Sequence, residues 1–237
     1  MSSQSLREAR EDITSRVREI FSDFRILTLF YLAFLGLCLG VFVLGSAFPR
    51  LQGLLAASRS TPWGVVTSLF VHSDLGHLVM NMAGLFSFFL VFSFTNYFLP
   101  YEEKARRISY FIVAILASTV FSNVIWIVIV DIGTIGASGL VYASEGAVTG
   151  FCLTNFWNIY SNVRFAETRS KTGVMLVNLL VFLSICVWMI FYTNSFLSYG
   201  RDINVLIHGS SFVLAFILAI EWENIINMLR IEVRPGT

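Results

Sequence analysis

The chain has three histidines, His72, His77 and His208. His77 and Asn81 stand four residues apart, so on a helix they share a face, which Gly84 continues. Ser138 sits inside Gly136-Ala137-Ser138-Gly139, and Tyr142 lies one turn further along the same face. These are the parts of an acyl-transfer site. A serine hydroxyl is a weak nucleophile until a base takes its proton, and neutral imidazole is the usual base. His208 is the candidate for that base. The tetrahedral oxyanion needs donors fixed in advance. The candidates are the Asn81 amide, a His77 N–H and the Ser138 backbone N–H, the last at a helix N-terminus where the dipole favours negative charge. Gly136 and Gly139 let the backbone approach a substrate closely. No orienting carboxylate is evident. Asp202 is six residues before His208, about 9 Å away in rise along a continuous helix and on another face. The reading is a Ser138–His208 dyad, with His208 packed on Tyr142 in place of the orienting acid.

Each motif alone has a plainer explanation. Gly-x-Ser-Gly in an apolar chain is more often a tightly packed helix start. A His–Asn pair at this spacing is more often an interhelical hydrogen bond. Only their combination carries the chemistry, and it requires elements that bring them to one depth.

Those elements are read from composition. Of 237 residues, 56% are apolar, 13% are charged and 23 are Phe. Soluble domains carry about 25% charge. An ordinary cytosolic domain, a disordered chain and a secreted disulfide scaffold are therefore excluded. The net charge of +1 gives no reason to expect a nucleic-acid partner. Cys38, Cys152 and Cys186 lie in apolar runs and read as small core or lipid-facing residues. A spanning helix needs about 20 apolar residues. Six stretches qualify: 24–48, 77–99, 108–130, 137–160, 173–196 and 203–222. The expected fold is an all-α membrane protein, a six-helix bundle.

The 16 Lys and Arg residues are unevenly distributed between the two sides. One side holds those of the N-terminus, the second and fourth loops and the C-terminus; the other holds only Arg50, Arg59 and Arg201. The positive-inside rule then puts both termini in the cytoplasm. The second, fourth and sixth helices all start at the outer face, so Asn81, Ser138 and His208 lie at similar shallow depth. They meet if these helices pack together. Gly146-x3-Gly150 and Ser211-x3-Ala215-x3-Ala219 permit that close approach.

Residues 1–23 read as a short amphipathic helix on the inner surface, 24–222 as the membrane core and 223–237 as a cytoplasmic tail. The first outer loop, about 49–76, is too apolar to float in water and is expected at the interface or against the bundle.

His72-x4-His77-x3-Asn81 entering the second helix, Gly136-Ala137-Ser138-Gly139 with Tyr142 on the fourth, and His208 on the sixth resemble the rhomboid intramembrane serine proteases. The resemblance covers about residues 24–222. It implies a serine endopeptidase that cuts peptide bonds in or beside transmembrane helices of other proteins, in the plasma membrane, without metal or cofactor. It implies Ser138 as nucleophile, His208 as base, and Asn81, His77 and the Ser138 N–H as the oxyanion site. Tyr142 would stack on His208, and His72 would be structural or water-retaining. The fifth helix and the loop 197–202 would form a lateral gate and cap. There are departures. Where the family often has Trp-Arg in the first loop, this chain has Trp63-Gly64, which bears on how the loop is anchored. Ser211 and Ala215 replace the family's usual glycines after the helix-six histidine. Glu145 lies about 10 Å deeper than Ser138, as a neutral packing residue or a polar link in a water pocket.

Other classes fit less well. A non-catalytic binder of transmembrane helices generally lacks the Ser or the His. A zinc site of His72, His77 and His208 leaves the Gly-Ala-Ser-Gly turn unexplained. A channel or transporter would line a path across the membrane, whereas the polar residues cluster at one depth.

Overall fold

Neither glycine nor proline occurs before Gly36, so nothing local stops a helix there. In the computed structural model of the chain, α1 runs without a break from Ser3 to Ala47. The expected boundary near residue 23 is therefore not a break in the backbone. The structure describes the backbone of residues 3–96, 99, 101–130, 132–162, 169–198 and 205–232. It describes side chains for 25–96, 99, 103–130, 132–157, 173–187, 205–222, 224 and 225.

After α1 come two short helices, α2 (Arg50–Leu55) and α3 (Gly64–Thr67), and a 3-10 turn, Ser68–Phe70. Five long helices follow: α4 (Leu75–Thr95), α5 (Tyr101–Ile129), α6 (Ser138–Asn162), α7 (Arg169–Ser198) and α8 (Val205–Glu232). The described residues contain no strand, only isolated bridges between Ala57 and Thr134 and between Ser58 and Thr61.

Each of the six apolar stretches coincides with a long helix. Four described segments are long and apolar enough to cross a bilayer: Arg25–Ala47, Leu75–Thr95, Glu103–Ile129 and Val205–Trp222. Gly173–Val187 of α7 is a shorter apolar stretch. The α6 helix does not qualify, for a physical reason. It touches α4, α5, α7 and α8, and residues 143–152 are all buried. A helix wrapped by protein meets little lipid and can carry small and polar residues that a lipid-facing helix cannot.

Those small residues let α6 and α8 approach closely. A Cβ on Gly146 would lie 2.1 Å from the Phe212 carbonyl oxygen, and one on Gly150 would lie 2.7 Å from that of Phe216 and 2.7 Å from Ala219 Cβ. Only glycine lets α6 and α8 meet backbone to backbone. Larger side chains fill the far end, where Phe92 stacks on Phe111 at 4.1 Å and packs edge-on to Phe151 at 5.5 Å.

A buried polar cluster sits at that end too. Arg107 is only 2% exposed, although it reads in the sequence as one of three loop cations. It pairs with Glu103 at 3.1 Å, donates to Asn96 Oδ1 at 3.1 Å and to Asn155 Oδ1, and its guanidinium lies 4.8 Å from the Trp222 ring centroid. Asn155 in turn donates to Asn178 Oδ1 at 3.1 Å, which ties α7 to α6. A buried cation needs such partners, and here they come from four helices.

The segment between α1 and α4, expected as the first outer loop, is fastened rather than free. Arg59 Nε and Nη2 donate to the carbonyls of Ile127 (3.1 Å) and Val128 (2.8 Å), in the last turn of α5 where the helix dipole favours a cation. Asn123 Nδ2 donates to the Val65 carbonyl at 2.9 Å, and Trp63 Nε1 to that of Leu54 at 2.8 Å. The departure at Gly64 is now explained. A Cβ there would lie 2.1 Å from the Ala56 carbonyl oxygen, so no arginine fits. Arg59 holds the loop from five positions earlier.

Candidate active site

The α4 helix begins at a cap that the sequence supplies. Asp74 is extended (φ −153°, ψ 169°), and its Oδ1 accepts the His77 N–H at 2.8 Å. The cap starts α4 at Leu75, so that His77 and Asn81 fall on successive turns of one face. Gly84, one turn on, has Val141 Cγ1 at 2.9 Å from where its Cβ would be, which presses α4 against α6.

The α6 helix begins at Ser138. The first helical bonds run from Leu140 N–H and Val141 N–H to the Ala137 carbonyl, at 2.9 and 3.2 Å. Amides in the first turn of a helix have no intrahelical acceptor, so the Ser138 N–H is available to a ligand. The chain entering the helix is held by Gly136 N–H on the Ser68 carbonyl (2.9 Å) and by reciprocal bonds between Thr134 and Ala57. Gly136 has φ +118°, a region that disfavours side chains. Its Cβ position lies 2.7 Å from His77 Cε1, 2.9 Å from His77 Nε2 and 3.8 Å from Asn81 Nδ2. The turn before Ser138 therefore rests against the His77–Asn81 face.

His208 lies on the first turn of α8, 8% exposed. Its Nε2 is 2.8 Å from Ser138 Oγ, across 70 residues of sequence. Its ring packs on Tyr142 with centroids 4.3 Å apart and planes at 31°. Gly139 lets this happen, because its Cβ would meet Thr119, Ile207 and Ser211 at 3.0–3.3 Å.

The Asn81 side chain is buried at 7% exposure, and its Nδ2 meets no acceptor among the described residues. A buried amide with an unspent donor is costly, and beside Gly136 it faces the entry of α6. His72 is 1% exposed, with its ring edge-on to His77 at 5.2 Å. Neither of its ring nitrogens has a hydrogen-bond partner among the described residues. Burial, then the nearby His77 charge, push the His72 pKa down to about 4, so it is neutral near pH 7.

The site thus gathers Ser138, His208 and Tyr142 in direct contact, and His77, Asn81 and Gly136 beside them. His72 stands behind His77. Glu145 is buried at 1% exposure, and its Oε1 meets no donor among the described residues. Asp202 and residues 199–202 of the expected cap, 197–202, fall outside the described residues. Chemically, a hydroxyl in contact with an imidazole nitrogen, next to a helix-start amide and an unspent side-chain amide, suits addition to a carbonyl. Sequence reasoning overlooked Ser73 and Asp74, which contact His77; the Ser-Asp pair just before a helix was the available signal. No group of His, Cys, Asp and Glu able to hold a metal ion occurs among the described residues.

A family model described as the Rhomboid domain matches residues 59–220, about two thirds of the chain. That span runs from Arg59 through every site residue to α8. No curated protein matches the chain.

Proposed function

The chain belongs to the rhomboid family of intramembrane serine proteases, and from that premise we propose that it is an endopeptidase using Ser138 as nucleophile and His208 as general base. One observation carries the reading: the 2.8 Å contact between His208 Nε2 and Ser138 Oγ. Ser138 Oγ adds to the scissile carbonyl as its proton passes to His208 Nε2. The oxyanion is met by the Ser138 N–H, Asn81 Nδ2 and a His77 N–H. His208 returns the proton to the leaving amine, and water then repeats the sequence to free the acyl-enzyme. Tyr142, stacked on His208, keeps the ring in line. Gly136 keeps the oxyanion pocket open, Gly139 lets α8 pack close to Ser138, and His72 backs His77.

The substrates are transmembrane helices of other proteins, entering from the bilayer. A hydrogen-bonded helix does not present its carbonyls for attack. Favoured substrates therefore unwind easily and carry glycine or other weak helix formers near the cut. In this reading residues 24–222 form a six-span core in the plasma membrane. Both termini are cytoplasmic, with 1–23 and 223–237 flanking the core, and the site opens near the outer face.

The test is labelling of purified protein by a fluorescent fluorophosphonate, together with cleavage of a transmembrane model substrate. Wild type should label and cleave. Ser138→Ala should do neither, and His208→Ala should lose at least about 1,000-fold in cleavage. Labelling that persists in Ser138→Ala would reject Ser138. A folded wild type that neither labels nor cleaves would reject the enzyme.

A further inference from the structure

Glu145 has no part in the reaction as described, yet it stands in line with the nucleophile. It lies seven residues beyond Ser138 on α6, two turns along, so on the same face and about 10 Å deeper. It is 1% exposed, and its Oε1 meets no donor among the described residues. On the turn between them, two large side chains lean apart. Tyr142 stacks on His208 of α8, with ring centroids 4.3 Å apart. Val141 turns to α4, its Cγ1 2.9 Å from where a Cβ on Gly84 would be. A furrow therefore runs down α6 from Ser138, with Glu145 at its floor. Thr149, next on this face, donates its hydroxyl proton to the Glu145 backbone carbonyl at 2.7 Å and so does not serve the carboxyl.

We infer that Glu145 is a specificity-determining residue. Its carboxyl accepts an N–H from a long polar side chain, such as that of Gln, on the substrate residue that supplies the scissile carbonyl. The inference rests on the proposed protease reading. An ionisable side chain inside a membrane protein is expensive, and one without a partner marks a place where a partner binds. This carboxyl is sealed from bulk water, so its donor arrives with the substrate. Reach selects the substrate residue. Side chains on a helix lean toward its N-terminus, which brings the carboxyl up toward Ser138 and leaves about 6 Å of furrow. The residue whose carbonyl meets Ser138 Oγ is the nearest, because each further residue of an extended chain adds about 3.8 Å. A Gln side chain there spans the furrow to hydrogen-bonding distance; Ala or Ser falls short.

The test uses the full-length protein in detergent and a transmembrane model substrate whose cut site has been mapped. The residue supplying the scissile carbonyl is made Gln or Met, and kcat/KM is measured for each. The two side chains are close in size, so the ratio isolates the N–H donor. Wild type should favour Gln at least about tenfold, the worth of one buried hydrogen bond. Glu145→Gln keeps an acceptor in place and should retain most of that preference. Glu145→Met should abolish it while raising the melting temperature, because an apolar side chain replaces a buried acid that has no partner in the fold. Equal kcat/KM for the two substrates in wild type would overturn the inference, and so would a preference that survives in Glu145→Met. A destabilised Glu145→Met would overturn it too, since the acid would then be serving the fold. In each of those cases a wild type that cuts the substrate, and is silenced by Ser138→Ala, leaves the protease reading standing. A wild type that cuts neither substrate overturns both.

Discussion

Among the described residues, His72, Asn81 and Glu145 are buried with polar atoms that meet no partner. In the proposed mechanism the unspent donor of Asn81 meets a demand that arises only when an oxyanion forms. His72 makes a measurable claim on stability. Its unfolded pKa is near 6.5 and its folded value is pushed down to about 4. The neutral form is the one the fold accommodates, so stability is undiminished above pH 6.5. It is lost as pH falls from 6.5 toward 4, where the unfolded chain takes the proton first. The melting temperature of detergent-solubilised protein should fall over that window, and His72→Gln should flatten the fall. Identical slopes for wild type and variant would rule this out.

At the scale of elements, α6 and α8 do most to assemble the site, and their contact is specific about size. Gly146→Val inserts a branched side chain where a Cβ alone would be 2.1 Å from a backbone oxygen. Overpacking of this kind costs about 1–3 kcal/mol. It must also move α6 from α8, and so Ser138 from His208. The expected result is a lower melting temperature together with loss of fluorophosphonate labelling; a stable, fully labelled variant would mean that the two helices have slack. Much of this was legible in the sequence. The small-residue spacings pointed to the α6–α8 contact, and the matched depths of Ser138 and His208 pointed to their meeting. Arg107 was not legible, because its burial depends on acceptors from other helices, Asn96 and Asn155, that spacing on its own helix cannot reveal. The continuity of α1 is not legible in composition, which changes near residue 23 while the backbone there has no residue to end on. The fastening of the first loop was obscured at Trp63-Gly64, because a required glycine leaves no trace until the Ala56 carbonyl is seen beside it.

For the molecule as a whole, the segment between α1 and α4 is a strap from the end of α1 to the end of α5 and the start of α6. Arg59 is a charged fastening of this strap, on the Ile127 and Val128 carbonyls. Arg59→Ala should cost about 1–2 kcal/mol and make residues 49–70 cleavable by added protease at concentrations that spare wild type. Equal resistance would show that Asn123 and Trp63 suffice. The burial of α6 has a consequence for how such a protein is made. A segment carrying Ser144, Glu145, Gly146, Thr149 and Gly150 is a poor guest in hydrocarbon by itself. It follows α5 off the ribosome, but its closest partner, α8, is synthesised more than forty residues later. A polar α6 therefore needs shelter until α8 arrives, and Ser138 stays apart from His208 until α8 is in place.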